Sequence, residues 1–236
     1  MTHAPGPVPD ADGGADAGPG RGPGPGPGRG AGADPSAGPA PRRLLLGVCG
    51  SGNVLALPQY LMNLPADLHV RIVMTRSAAA LVPAATMRLV CQEVYCDGRD
   101  ELTTGHVSLA SWAERVVVLP ATANMLGQAA HGLASGLLSS ALLAHENPVL
   151  FFPSMNRRMW DRPAVRRNVA QLRADGHAVV EPVPAPAWHI ATHDVQKNLG
   201  LPPPGTVAAV VSEFFRLPVA PPDPPPDPPG GPSGVS

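Results

Sequence analysis

Apolar runs alternate along the middle of the chain with stretches whose apolar residues recur at helical spacing. The continuous run Arg43 to Cys49 predicts a strand buried on both faces. Further strands are predicted at Leu68 to Met74, Arg115 to Leu119 and Val149 to Phe152, with shorter ones at Glu93 to Asp97 and Ala178 to Val180. Helices are predicted from about Val54 to Leu64, from Thr75-Arg76-Ser77 onward, over Pro83 to Val90, and from His106 through Leu109, Trp112 and Ala113. Three more follow: Met125 to about His145, interrupted by Gly132 and Gly136; Pro163 to Ala174; and Thr206 to Phe215. Strands alternating with helices of this length imply a right-handed, doubly wound, mostly parallel α/β sheet. Glu181 to Pro204 breaks the alternation. It holds Trp188, His189, His193, Asp194, Lys197 and six prolines, too irregular for a sheet element and too rich in large side chains for a linker. A loop of that length reads as a substrate-covering flap, with a crossing loop of no special role as the alternative.

Composition sets the limits of the folded part. Most of the 32 Pro and 26 Gly lie in the first 41 residues and after Leu217. The expected organisation is a disordered Gly/Pro-rich tail over 1–41, one domain over 42–217 and a Pro-rich disordered tail over 218–236. A formal charge of -1 without a long basic run gives no electrostatic footprint for nucleic acid. Cys49, Cys91 and Cys96 are odd in number and lack zinc spacing, which argues against disulfides and fits a reducing cytoplasm. No signal peptide and no membrane-length apolar run is present, so a cytoplasmic location away from membranes is expected. The spacing of His189 and His193 suits a metal on a helix, but the surrounding prolines and the want of a nearby third ligand leave no metal site expected.

Chemistry is concentrated where strands end. The first strand breaks into Gly50-Ser51-Gly52-Asn53, a turn that either presents backbone N–H groups to an anion or is a plain tight turn; it lacks the Lys of a Walker loop. Thr75 or Ser77 can cap the next helix, or hold a phosphate oxygen beside that turn. Cys49 reads as a small buried residue rather than a nucleophile, and His69 as structural. Two later strands each end in a proline followed closely by asparagine: Pro120-Ala121-Thr122-Ala123-Asn124 and Pro153-Ser154-Met155-Asn156. In an open parallel sheet such corners line the crevice at the carboxyl ends of the strands, and His106, at the start of a helix, faces the same crevice.

His106-Val107-Ser108-Leu109 with Trp112-Ala113, the Pro120 to Asn124 corner, and Pro153 to Asn156 with Met159-Trp160 closely resemble the homo-oligomeric flavin-containing cysteine decarboxylases. That family includes the phosphopantothenoylcysteine decarboxylases and the peptidyl-cysteine decarboxylases of lanthipeptide pathways. The resemblance covers about residues 43 to 215, departing at Thr122, where Ser is usual, and at Met125, where Thr is common. It implies a flavodoxin-like (Rossmann-type) three-layer fold binding FMN. The phosphate would lie near Gly50, Ser51, Thr75 and Ser77, and the ring against Pro120, Ala121, Thr122, Ala123 and Asn124. It further implies His106 as the active-site base, with Asn124 and the corner carrying Pro153, Met155 and Asn156 contacting flavin and substrate. Trp188 in the flap is the remaining candidate substrate contact. The implied assembly is a trimer or trimer-based dodecamer with flavin at a subunit boundary.

The coenzyme A enzymes carry a flap cysteine that helps reduce the enethiol, whereas no cysteine follows Cys96 here, and no fused ligase domain is expected. The resemblance therefore implies oxidative decarboxylation of the C-terminal Cys of a ribosomal precursor peptide to an enethiol, leading to an aminovinyl-cysteine ring. Phosphopantothenoylcysteine decarboxylation and a non-catalytic flavin-binding role are the alternatives.

Overall fold

The structure is a computed structural model that describes residues 41–100, 104–189 and 193–219; of the tails expected over 1–41 and 218–236, residues 1–40 and 220–236 lie outside the described residues. Six parallel strands form one sheet in the order β3-β2-β1-β4-β5-β6. They are β1 (Arg42–Val48), β2 (Leu68–Met74), β3 (Glu93–Cys96), β4 (Arg115–Ala121), β5 (Val149–Pro153) and β6 (Ala178–Val179). This is the Rossmann order; without the short edge strand β3 it is the flavodoxin order.

Alternation along the strands builds two apolar layers. Leu44, Leu46 and Val48 of β1 and Ile72 and Met74 of β2 pack on one face against α1 (Leu57–Asn63), α2 (Arg76–Leu81), α3 (Ala84–Met87) and α9 (Pro204–Phe214). Leu45 of β1 and Val116 and Val118 of β4 pack on the other face against α4 (His106–Trp112), α5 (Ala123–Ala130), α6 (Leu137–Ala144) and α8 (Pro163–Ala174). Leu44 and Leu45 are both 0% exposed, so the continuous apolar run of β1 serves both layers. Each such leucine contributes about 1.5–3 kcal/mol.

Glu181 to Pro204 corrects an expectation. Instead of an irregular segment it contains an antiparallel hairpin, β7 (Val183–His189) with β8 (Asp194–Gly200), turning through His193 at φ 50. Pro184 and Pro186 stand two residues apart on β7, so the N–H groups they lack belong to the same side of the strand. A two-stranded ribbon has a free side on each strand, and prolines are tolerated there.

Two histidines, His145 buried and His177 half-buried, tie the second layer. His145 Nδ1 lies 3.1 Å from the Ala110 carbonyl, and His177 Nδ1 accepts from Val149 N at 3.1 Å. Burial, the largest influence on each, holds both below the ordinary value of 6.5. Both are therefore neutral in the folded chain at a pH where the unfolded chain takes up protons. Stability is fully present above about pH 7 and falls as pH drops through the unfolded histidine value. Urea midpoints should decline from pH 7.5 to 5.5, and less so in His145→Gln; a flat profile would contradict this reading.

Candidate functional site

The order of the strands reverses between β1 and β4, and the crevice beyond their carboxyl ends is where open α/β sheets bind ligands. There the β1 turn is laced to its neighbours through the backbone. Cys49 N donates to Pro120 O at 3.1 Å, Thr75 N to Val48 O at 2.9 Å, and Ser154 N to Ala121 O at 2.8 Å. Cys49 itself is 1% exposed, and burial pushes its thiol up to about 12, which removes it as a nucleophile at neutral pH.

Two chambers open on this edge and share Thr122. The first, about 330 Å³, is lined by Gly50, Ser51, Thr122, Ala123, Met155 and Asn156, among others. The second, about 320 Å³, is lined by Thr75, Ser77, Thr122 and Asn124 together with Arg76 and Asp97. Each matches the smaller ligand pockets of proteins. Thr122 caps α5 by accepting from Met125 N at 3.4 Å, and Thr75 caps α2 by accepting from Ala78 N at 3.3 Å while lying 3.2 Å from the Ser77 hydroxyl. The turn and α2 are in close contact, for a Cβ on Gly50 would stand 2.5 Å from Ser77 Cβ.

The second Pro/Asn corner closes the first chamber. Asn156 Oδ1 accepts from Met159 N at 2.9 Å, capping the short helix α7 (Arg157–Trp160) and leaving its amide N–H groups to donate. Pro153 and Ala121 are buried at the strand ends, and Pro120, also buried, follows a cis peptide bond. These three shape the corners from behind rather than facing the chambers. His106 is the first residue of α4, exposed at the same edge of the sheet because α4 runs antiparallel to the strand it precedes. It lies outside the walls of both chambers. Trp188 pairs through its backbone with Val195, and the expected contact from its side chain lies outside the described residues.

Several contributors were not singled out as site residues from the sequence. Ser154, 5% exposed, places its hydroxyl 2.5 Å from that of Ser51 and accepts from Asn53 Nδ2 at 2.8 Å, joining the second Pro/Asn corner to the β1 turn. Either serine hydroxyl can donate to the other, since an oxygen that accepts from Asn53 keeps a second lone pair. Arg76 brings a guanidinium to the second chamber, and Asn198 of β8 accepts from Arg157 N at 2.9 Å, pinning the hairpin beside α7. Ser154 lay within a quoted motif, but Asn198 had no sequence signal. Ser154→Ala leaves the Asn53 amide short of an acceptor and should cost about 1–2 kcal/mol. Urea denaturation measures this, and an unchanged midpoint would remove the link between the β1 turn and the second corner.

Beside apolar contacts from Met155, Met159 and Leu199, the polar groups among the described lining residues of the first chamber are hydroxyls, amides and backbone with no carboxylate, a donor set suited to an anion. With this geometry in view, the similarities of the chain can be read. Mersacidin decarboxylase of Bacillus sp. (strain HIL-Y85/54728) is 39% identical over 177 residues, spanning 74% of this chain and 91% of that protein. Epidermin decarboxylase of Staphylococcus epidermidis is 27% identical over 68% of this chain and 88% of its own length. Among solved structures, MrsD from Bacillus sp. HIL-Y85/54728 superposes with a TM-score of 0.65 at 37% identity, covering 74% of this chain and 96% of that one. EpiD complexed with the substrate peptide DSYTC gives a TM-score of 0.67 at 25% identity, covering 72% and 98%. The family model described as Flavoprotein matches residues 35–212, and the chain belongs to that flavoprotein family.

Proposed function

We propose that the protein is an FMN-dependent decarboxylase acting on the C-terminal cysteine of a peptide. The observation that carries this reading is the meeting of the β1 turn and the second Pro/Asn corner at the Ser51 and Ser154 hydroxyls, beside a chamber with no carboxylate among its described lining residues. The residues present fit FMN. Gly50, where a Cβ would collide with Ser77, lets the β1 turn lie against α2, Ser51, Thr75 and Ser77 offer hydroxyls to a phosphate, and Arg76 adds a positive charge. The Thr122 to Asn124 segment, at the wall common to both chambers, is where the flavin ring would lie.

An α-carboxylate cannot leave as carbon dioxide unless the electron pair left behind has an acceptor. FMN, when bound, supplies the two-electron sink that makes a thioaldehyde from the cysteine side chain. His106 takes the thiol proton as the Cβ hydride departs. The amide donors of Asn124 and Asn156 hold the carboxylate, and as its bond to Cα breaks the electron pair moves into the carbon–carbon double bond and onto sulfur. His106 returns the proton to the enethiolate. The balance is loss of carbon dioxide and two hydrogens from the peptide, with the reduced cofactor reoxidised by an external oxidant such as oxygen. In a precursor peptide the enethiol then adds to a dehydroamino acid, giving an aminovinyl-cysteine ring.

The hairpin contains no cysteine to return electrons to the enethiol, which favours an oxidised peptide product over the thiol of coenzyme A synthesis. Mass spectrometry of a Cys-terminated peptide incubated with the yellow protein tests this directly. The expected product is lighter by carbon dioxide plus two hydrogens; an untouched peptide, with phosphopantothenoylcysteine turned over instead, would overturn the choice. A homotrimer, or a dodecamer of trimers, is part of the same reading and is checked by light scattering. Among the described residues no helix is long and apolar enough to cross a membrane.

A further inference from the structure

Arginine is concentrated at one lip of the first chamber. Six arginines and a single acid, Asp161, fall between Pro153 and Ala174, in a chain whose 17 basic and 18 acidic residues nearly balance overall. Glu181 takes Arg166 at 3.4 Å and Arg173 at 2.9 Å. Arg157, Arg158, Arg162 and Arg167 are all exposed, and none forms an ion pair with a carboxylate among the described residues. Their position is tied to the site: Asn156 and Met159, which flank the first two, line the chamber, and Arg157 N is held by Asn198 of the hairpin. Arg166 lies over the Trp160 ring as well as pairing with Glu181, whereas Arg157, Arg158, Arg162 and Arg167 are like charges held close together, which repel. Such a surface is suited to a partner of opposite charge.

We propose that this lip binds acidic side chains of the substrate peptide lying a few residues before its C-terminal cysteine. The inference rests on the peptide-decarboxylase reading and adds the charge of the substrate to it. A peptide whose terminal cysteine sits in the chamber leaves over the rim. Extended chain advances about 3.3 Å per residue, so the five residues before the cysteine span about 17 Å. Arg157 and Arg158 open α7 directly after Asn156, which lines the chamber, and Arg162 and Arg167 follow at the cap and second turn of α8. Acidic residues at the second to fifth positions before the cysteine are therefore the ones in reach.

The test uses the full-length, FMN-loaded protein and three synthetic peptides identical except for two positions before the terminal Cys, occupied by Glu-Glu, Ser-Ser or Lys-Lys. At low ionic strength kcat/KM for the Glu peptide should exceed that for the Ser peptide about tenfold and for the Lys peptide about a hundredfold. At 0.5 M salt, where exposed charges are screened within a few ångströms, the spread should shrink to about twofold. The double variant Arg158→Glu/Arg162→Glu should retain flavin, turn over the Ser peptide within about twofold of the parent, and prefer the Lys peptide. Equal rates for all three peptides would overturn the inference while leaving the decarboxylase reading intact; no turnover of any peptide would strike the decarboxylase reading itself. A Glu preference that survives both high salt and charge reversal would place recognition elsewhere and also overturn it. If the double variant fails to fold, the salt dependence of the parent still decides.

Discussion

His106→Asn is expected to leave the protein folded and yellow while lowering turnover of a Cys-terminated peptide by about 10²–10⁴, the range general acid–base catalysis contributes. The two effects separate because of where His106 sits. It is exposed at the first position of α4, whereas Leu109 and Ala110, 0% and 3% exposed, hold that helix on the sheet. Asparagine keeps a polar group of similar reach but cannot accept and return a proton near neutral pH. The fold and the flavin chambers, whose described walls do not include His106, should therefore be untouched. Flavin absorbance and the urea midpoint serve as controls, and single-turnover flavin bleaching by the peptide is the readout. A variant that bleaches at the parental rate would take His106 out of the proton transfer and leave the oxidation to proceed without it.

How far the sequence could be read depends on the range over which each feature is encoded. Periodicity is local, so the strands of the sheet and their alternation with helices followed from it, and the apolar run from Arg43 to Cys49 became the strand that faces both layers. Thr75 and Thr122 are helix caps, again a local matter, and the hydroxyls that cap also face the second chamber. Proline was misleading in the hairpin because its cost in a sheet depends on which side of the strand its nitrogen faces, and register across a pair is not visible along one strand. Helix α7, four residues long, was too short to leave a periodic signal, although Asn156 stands at its cap. The contacts that join the β1 turn to the second Pro/Asn corner are long-range: Ser51 and Ser154 meet across 103 positions. A polar partner at such separation leaves no pattern in a single sequence. Arg115, at the start of a predicted strand, shows the same limit. It is 0% exposed, with its guanidinium bonded to the Leu217 and Pro218 carbonyls and set over Phe214, a burial that no run of neighbours announces.

Gly50→Ala should abolish flavin retention, raising the dissociation constant for FMN at least a hundredfold, and should cost about 1–3 kcal/mol of stability. The reason is space rather than backbone freedom, since Gly50 is not among the glycines with positive φ. A Cβ there would lie 2.5 Å from both Cβ and Oγ of Ser77 and 2.8 Å from its backbone carbonyl carbon, well inside contact distance. Ser77 Oγ alone could rotate away, but its Cβ and backbone cannot, because they belong to α2, anchored by the Thr75 cap and by Thr75 N on Val48 O. The strain must then move the β1 turn, and with it Ser51 and its link to Ser154, by enough to misplace the phosphate donors. Gly52→Ala supplies the matched control: its added Cβ meets nothing within 4 Å, so flavin affinity should change by less than about twofold and stability by about 0.5 kcal/mol or less. Fluorescence titration with FMN and with riboflavin distinguishes the causes. A displaced phosphate cradle weakens FMN far more than riboflavin, whereas general unfolding weakens both alike. A Gly50→Ala protein that holds FMN as tightly as the parent would show that the turn beside Ser77 is not where the phosphate is held.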